Sequence, residues 1–407
     1  MWLIVFQIVP VVAWCIAYLV VVRPLALRSR LSAVVSVLLA LAFGKFAFFA
    51  LVGGHGFNPD LPPIAIWLYG WAYAAAMMLT GASFLLLLAD GALWMCHHRV
   101  GTRTRRIRTA VVAAAAAALS AWGVYEGVRT PEIHRVEVAF HGLPPAFDGY
   151  RIVHLSDLHC STAARRERFE RIVEAVNSLD ADLVAITGDF VDGSVADRLS
   201  DLKPLSRLKA KDGVYGCAGN HERYWDWPGW RDALLRWRVH VLPGLPGSSP
   251  FEVIRRGEEA LAIGGMMDPA FYGRHVPDAR AVFCEAPKGA FRILLFHRPY
   301  TEASMSAEAE VGLQLSGHTH GGAMPVLDWL VAMANEGRTR GLYEFGEGRY
   351  IHVSPGTGQW AGFPLRLFNP AEITELTLRS LERLHSPPDF GRIPAKAEKV
   401  DFSVHQS

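Results

Sequence analysis

The chain has 407 residues, 51% of them hydrophobic, and a formal net charge of +2. That length calls for two or three structural units rather than one, and its positive mean hydropathy is unlike that of an ordinary soluble enzyme. The small net charge gives no case for a nucleic-acid partner, and five cysteines without a CxxC pair give none for a disulfide framework or a zinc finger.

The first third reads as membrane. Trp2 to Val22 carries no charge and is long enough for a spanning helix, which needs ~20 apolar residues. It lacks the basic start and small-residue cleavage site of a signal peptide. Leu31 to Val52 is a second run, interrupted by Lys45, whose ammonium is expected to snorkel to the helix end. Ile64 to Leu88 is a third, closed by Asp90, which is placed to pair with the arginines that follow. Thr109 to Tyr125 is a fourth, short and rich in alanine. The expectation is a bundle of about four transmembrane helices within residues 1–127.

The connecting loops orient it. Arg23, Arg28 and Arg30 lie in the first loop, and Arg99, Arg103, Arg105, Arg106 and Arg108 in the third; the second, Gly53 to Pro62, has no basic residue. Positive loops face the cytoplasm. With four spans, everything after Tyr125 then lies on the outer side of a cytoplasmic membrane, an orientation that requires the fourth helix to cross.

From Pro131 the composition changes to that of an α/β domain, residues 131–380, with a polar tail at 386–407. Glu132 to Phe140 reads as an edge strand. Tyr150–Leu155 and Asp182–Thr187 read as buried strands joined by a helix over Arg165–Leu179, with Phe169, Ile172, Val173, Val176 and Leu179 at helical spacing. Further buried runs are Val214–Cys217, Leu261–Ile263, Phe291–Phe296, Leu313–Leu315 and Tyr350–Val353, with Glu372–Leu378 closing the domain. Helices are expected over Ala196–Leu208, Trp230–Trp237 and Tyr300–Ala309.

Chemistry follows the strands. Five of these runs are each followed by metal-ligand side chains: Asp157 and His159, Asp189, Asn220 with His221 and Glu222, His297, and His318 with His320. In open α/β sheets that edge binds ligands. Alternation puts the two members of Asp157-x-His159, and of His318-x-His320, on one side. Asp, His and Asn suit Mn²⁺, Fe or Zn²⁺, and the set is large enough for two divalent ions. Two ions ~3.5–4 Å apart clamp a phosphoryl group and generate hydroxide at neutral pH. Singly, each residue has a bland alternative: a structural histidine, a turn asparagine, or Asp189 as a helix cap.

Together these motifs resemble the signature of the calcineurin-like metallophosphoesterases, over roughly Pro131 to Leu378. Ser354–Gly358 and Pro364-Leu365-Arg366 resemble that family's membrane-associated branch. The resemblance implies a four-layer α/β/β/α sandwich. It also implies that Asp157, His159 and His320 hold one metal, that Asn220, His297 and His318 hold the other, and that Asp189 bridges them. His221 would be catalytic, facing the leaving-group oxygen, while a bridging hydroxide attacks phosphorus in line. Glu222 would orient His221, support the ligands or serve structure alone. Two departures are visible: Ala323 stands where many relatives have Gln, and Asp192 stands where purple acid phosphatases have a metal-bound tyrosine, so a charge-transfer iron site is not expected.

Asp192 and Asp268 otherwise read as loop acids, and His154 as a strand residue. The tryptophans at 225, 227, 230 and 237 suit either lipid contact or packing, and Arg366 with the Ser354–Gly358 glycines suits either a phosphate cradle or a turn. The leading function is a phosphodiesterase or diphosphate hydrolase at the membrane, with a lipid-linked phosphate as the candidate substrate; a phosphomonoesterase on soluble substrates and a non-catalytic metal-binding sensor are the rivals.

Overall fold

The computed structural model describes residues 8–245, 247–272, 278–301 and 307–384. At the N-terminal side, α1 (Val9–Ala17) continues through a π turn, Tyr18–Val22, and a 3-10 turn, Arg23–Leu25. Next come α2 (Ser29–Phe43) and α3 (Lys45–Val52), bent by 63° at Gly44. The long helices are α4 (Pro63–Met95) and α5 (Thr102–Val128).

Among the described residues only α4 and α5, of 33 and 27 residues, are individually long and apolar enough to cross a membrane, and the bent pair makes at most a third. This corrects the expected four. The apolar helix at Val9–Leu25 is too short by itself, and residues 1–7 lie outside the described part. The second run breaks because the backbone leaves helical geometry at Gly44, where ψ is 4°. The fourth run, the weakest on composition, forms one of the two clear candidates. Its alanines are strong helix formers, and its helix extends back through the arginines to Thr102.

α4 and α5 pack antiparallel. Asp90 accepts hydrogen bonds from Arg105 Nε at 2.9 Å and Arg108 Nη2 at 2.5 Å, as its position led one to expect. At the same end Arg106 reaches the carbonyls of Leu25 and Ala26, so the two basic loops meet. Lys45 does not snorkel. It is fully buried, its Nζ donates to the Gly362 carbonyl at 2.5 Å, and Phe46, Phe49 and Tyr73 surround it.

The second unit is built on two six-stranded sheets. In chain order the strands are β1 (Glu132–Phe140), β2 (Tyr150–Leu155), β3 (Leu183–Thr187), β4 (Val214–Cys217), β5 (Val239–Val241), β6 (Phe251–Arg256), β7 (Glu259–Met266), β8 (Phe291–Phe296), β9 (Val311–Ser316), β10 (Gly341–Gly346), β11 (Arg349–Val353) and β12 (Glu372–Ser380). One sheet runs β1-β12-β2-β3-β4-β5 and the other β10-β11-β9-β8-β7-β6. The strands β2 to β5 are mutually parallel, as are β7, β8, β9 and β11.

β3 shows why its run is apolar throughout. Leu183 and Ala185 join residues of both sheets, such as Ile152, Ile293 and Leu313, in one core cluster. Val184 and Ile186 face the other way, onto Phe169, Ile172, Trp230 and Leu234. Those come from α6 (Arg166–Asn177) and α9 (Trp227–Arg236), with α7 (Val195–Leu202) and the short α8 (Asn220–Tyr224) between them in sequence. A strand buried on both faces has no polar phase to display, and each such side chain contributes roughly 1.5–3 kcal/mol by burial. On the second sheet, Val282 and Phe283 of α10 (Ala279–Phe283) pack on Ala262 and Leu294.

The sequence reading missed β5, β6, β10 and α11 (Leu327–Ala334). β6 and β10 are edge strands carrying exposed charge, without a buried run. The helix expected at Tyr300–Ala309 does not start there: Thr301 is non-helical, Ala307–Ala309 is one 3-10 turn, and residues 302–306 lie outside the described part. So does the expected tail at 386–407.

The two units interlock. Leu365 and Leu367 are buried in a cluster with Ala74 and Val124, and Arg366 N donates to Gly123 O at 2.8 Å. Asn58 donates to the Asp192 carbonyl, and Thr162 to that of Pro59. Two glycines of α4 test this packing. A Cβ on Gly70 would lie 2.5 Å from Pro364 Cγ, whereas one on Gly81 meets nothing within 4 Å. Glycine to alanine in a helix is ordinarily worth ~1 kcal/mol, but overpacking costs ~1–3 kcal/mol. Gly81→Ala should therefore hold or raise the thermal midpoint of the detergent-purified protein, and Gly70→Ala should lower it; equal shifts would refute the interlock.

Candidate metal centre

Each expected ligand sits where a strand ends. Asp157 and His159 follow β2, Asp189 follows β3, Asn220 opens α8 after β4, His297 follows β8, and His318 and His320 follow β9. They converge, but not by strand alternation. Asp157, His159, Asp189, His318 and His320 all have positive φ, between 45° and 72°. Such left-handed backbone is uncommon outside glycine, costs of order 1–3 kcal/mol per residue, and clusters at functional sites. Here it turns the chain off the strand so that both members of each Asp-x-His or His-x-His pair face one centre.

Three donor groups result: Asp157, His159 and His320; Asp189, His297 and His318; and His159, Asp189 and His221, which shares a member with each of the others. In the first, His159 Nε2 lies 3.1 Å from His320 Nε2, and Asp157 Oδ1 lies 3.6 Å from His320 Nε2. In the second, His318 Nδ1 lies 3.3 Å from His297 Nε2. Asp189 Oδ2 stands between the first two groups, 3.3 Å from His297 Nε2 and 3.7 Å from His159 Nε2.

The donors are prepared for cations. His297 Nδ1 donates to the Thr187 carbonyl at 2.7 Å and His159 Nδ1 to Asp192 Oδ2 at 3.0 Å. Each bond commits Nδ1 as a donor, so that Nε2 is the nitrogen available to a cation, and fixes the ring, the usual support of a metal-bound histidine. Asn220 Oδ1 is buried without a hydrogen-bond partner. A buried acceptor left alone costs ~1–3 kcal/mol, and a cation would satisfy it. The residues present therefore fit divalent ions.

Charge in the protein alone is frustrated. Burial disfavours charge on His297 and His221, yet Asp189 beside both, and Asp192 beside His221, raise each to about 10. Burial drives His318 and His320 well below the usual histidine range. Burial acts to raise Asp189, but His297 and His221 hold it well below the carboxylate range.

Two residues do more than the sequence disclosed. Asp192, read as a loop acid, is buried, and its carboxylate is shared between His159 Nδ1 and His221 Nδ1. Burial tends to raise it, but His221 and His159 hold it well below the carboxylate range. It orients His221, whose Nε2 lies 3.9 Å from Asp189 Oδ2. Glu222 does not orient His221. Its Oε1 accepts from the N–H groups of Phe190 and Val191, and its Oε2 from those of Asp189 and Gly219. It pins the turn after β3 to the start of α8. Sequence offered one signal for Asp192, its position three residues beyond Asp189.

Other candidates resolve against function. His154 lies between the sheets on His352 and Thr187. Asp268 is buried and pairs with Arg298. Arg366 is fully buried and donates to the carbonyls of Gly356 and Gly358, so it shapes a turn rather than cradling a phosphate. Trp230 is core, and Trp227 and Trp237 pack on it. Trp225 meets His55 of the second loop.

A cleft of about 490 Å³ opens onto the centre. Its polar wall is Asp189, Asn220, His221, His318 and His320; its apolar wall is Leu327, Leu330, Val331 and Ala334 of α11 with Trp360 and Phe363.

Residues 150–322 match the family model described as calcineurin-like phosphoesterase. The chain is 30% identical over 317 residues to the transmembrane protein with metallophosphoesterase domain of Danio rerio, covering 73% of this chain and 71% of that one. The protein of the same name from Bos taurus is 30% identical over 298 residues, covering 70% and 67%. A metallophosphoesterase of Helicobacter pylori is 31% identical over 263 residues, covering 63% and 66%. The chain belongs to the calcineurin-like phosphoesterases, a family of phosphoric ester hydrolases that use divalent metal ions.

The pinning role of Glu222 is testable apart from any metal. Glu222→Gln keeps the shape but turns an NH₂ toward N–H donors. Leaving buried donors unpaired costs ~1–3 kcal/mol, so denaturant unfolding should show a loss of that size; no loss would remove Glu222 from this role.

Proposed function

We propose that the chain hydrolyses a phosphodiester or diphosphate bond at the membrane surface, using two divalent cations. The observation that carries this reading is the position of Asp189 Oδ2 between two histidine-containing donor groups. Asp157, His159 and His320 would hold one ion and Asn220, His297 and His318 the other, with Asp189 shared between them. Divalent ions bound there would supply Lewis-acid polarisation of phosphoryl oxygens and a water that is nucleophilic at neutral pH. Asp192 holds His221 Nδ1, which leaves the Nε2 proton for the leaving-group oxygen. Among the described residues, those lining the cleft include no lysine or arginine, which favours a phosphodiester with one charge over a doubly charged monoester. The four-layer α/β/β/α arrangement belongs to the same reading, supported by apolar clusters on the outward faces of both sheets.

Detergent-purified protein with Mn²⁺ should cut a p-nitrophenyl phosphodiester faster than the monoester, and EDTA or Asp189→Asn should abolish cutting. His221→Ala should retain two metals by elemental analysis while losing ~10²–10⁴ in kcat. Asp192→Asn should lose ~10–100-fold in metal affinity or activity, the usual cost of removing a group that supports a ligand. Two bound metals without hydrolysis of either ester would sink the reaction assignment for simple esters.

We further infer that the catalytic domain lies on the outer face. Arg106 and Asp90 lie at one end of the α4–α5 pair, while Leu365 packs by Gly123 toward the other; the basic end is the cytoplasmic one by the positive-inside rule. Cys96, at that end, and Cys284, in the catalytic domain, are both exposed. In spheroplasts of a bacterial host, an impermeant maleimide should label Cys284 and spare Cys96. The reverse pattern would put the catalytic domain inside.

A further inference from the structure

α11 is apolar around its whole circumference except for Asp328, yet none of its residues is buried. A helix of that kind belongs in a core or a membrane. Leu327, Leu330, Val331 and Ala334, at helical spacing, form the cleft wall. Val326, Trp329, Leu330 and Met333, also at helical spacing, point outward, with Trp329 63% and Met333 66% exposed. Nearby Phe368 is 68% exposed. Contiguous apolar surface of this kind marks an interaction site.

The transmembrane helices say what covers it. Counting back from Asp90 at ~1.5 Å per residue, the ~30 Å of a hydrocarbon core ends near Gly70. Trp67, Tyr69, Trp71 and Tyr73 of α4 cluster at that level, and Trp122 and Tyr125 lie at the matching end of α5, as expected for an interfacial aromatic belt. Met324, three residues before α11, packs with Leu365 and Leu367 against Ala74, Met78 and Val124, one to two turns inside that boundary. The Ala323 carbonyl is tied to Leu367 N at 2.8 Å. The segment that leads into α11 is thereby fixed at membrane depth. Phe363 belongs both to that cluster and to the cleft wall, so the apolar side of the cleft is continuous with the lipid-facing helices.

We propose that α11 lies in the headgroup–acyl boundary of the bilayer and that the groove between α11 and Phe363 takes the apolar chain of a lipid-linked phosphoester, whose phosphate reaches His221 and the metal centre. Substrate then enters sideways from the membrane instead of from bulk water. The part concerning substrate rests on the phosphoesterase reading above; the seating of α11 does not.

Two measurements separate these. First, the full-length protein in mixed micelles with Mn²⁺ is given p-nitrophenyl ethyl phosphate and p-nitrophenyl hexadecyl phosphate, which differ only in chain. Burial of even a few methylenes in the groove should favour the hexadecyl ester by about tenfold or more in kcat/KM. The double variant Trp329→Ser, Met333→Ser, at exposed positions outside the cleft wall, should unseat α11 and lose that preference while keeping the ethyl ester rate within about twofold, since surface changes are usually mild. Absence of a preference in the wild type, or an equal fall for both esters, would overturn the groove. If neither ester is cut, the phosphoesterase reading fails and the second measurement still decides α11. With Cys15, Cys96 and Cys284 replaced by Ser, an environment-sensitive dye on Met333→Cys should be quenched by lipids brominated near the headgroup in reconstituted vesicles. The same dye on Lys209→Cys, after β3 and away from the strand exits, should not be. Equal quenching, or none at Met333, would overturn the insertion.

Discussion

The structure depends on forcing carboxylates and imidazoles into one buried centre at the strand exits. Such groups are costly to bury without partners, and five of them also sit on left-handed backbone. Compact apolar sheets supply the rigidity that tolerates this. The immediate surroundings then fix several of these groups. Thr187 O fixes His297, Asp192 fixes His159 and His221, and Glu222 gathers four backbone N–H groups around the turn that carries Asp189. What is left over, notably Asn220 Oδ1, points to the same centre.

The N-terminal helices are more than an anchor. Asn58, in the loop between α3 and α4, donates to the carbonyl of Asp192, the residue that orients His221. Lys45, at the bend, holds the carbonyl of Gly362, between the cleft residues Trp360 and Phe363. Helix position and site geometry are therefore coupled through direct contacts at both ends of the cleft. A lysine that merely snorkelled would have left the bend free; one that satisfies a carbonyl among three aromatic rings fixes it.

The legible part of the sequence was the part with strong local contrast. Buried strands read as short apolar runs, and the ligands stood out because polar residues followed those runs abruptly. β2, β4 and β8 could be bounded to the residue. Asp192 was misjudged because its role is made by tertiary contact: its N–H bonds to Cys160 O, which brings it under His159. α11 was invisible for the opposite reason. It has no polar face to give a period, and it is apolar without being core. The helix count failed where hydropathy is silent, at the kink by Gly44 and at the arginines that α5 absorbs. Even the convergence of the ligands was anticipated for an incomplete reason, since left-handed turns rather than strand alternation produce it.

Two buried arginines near the Asp157 turn are already committed to backbone carbonyls. Arg366 is spent on the carbonyls of Gly356 and Gly358, and Arg168 on those of Val128, Arg129 and Thr357. Burial lowers Arg366 to about 10 and Arg168 to about 9, yet both stay charged at neutral pH and locked in place. Arg168 fastens the loop carrying Thr357 to the end of α5, and in that loop the N–H groups of Thr357 and Gly358 donate to the carbonyls of Ser156 and Asp157. Neither lines the cleft. A phosphate arriving there meets imidazoles and carboxylates, and carboxylates alone would repel it. Under the proposed function, divalent ions held by those carboxylates would add attraction to that of the His221 and His297 imidazoles, which, against burial, Asp189 raises to about 10, so the residues that hold the ions would also help to draw in an anionic substrate.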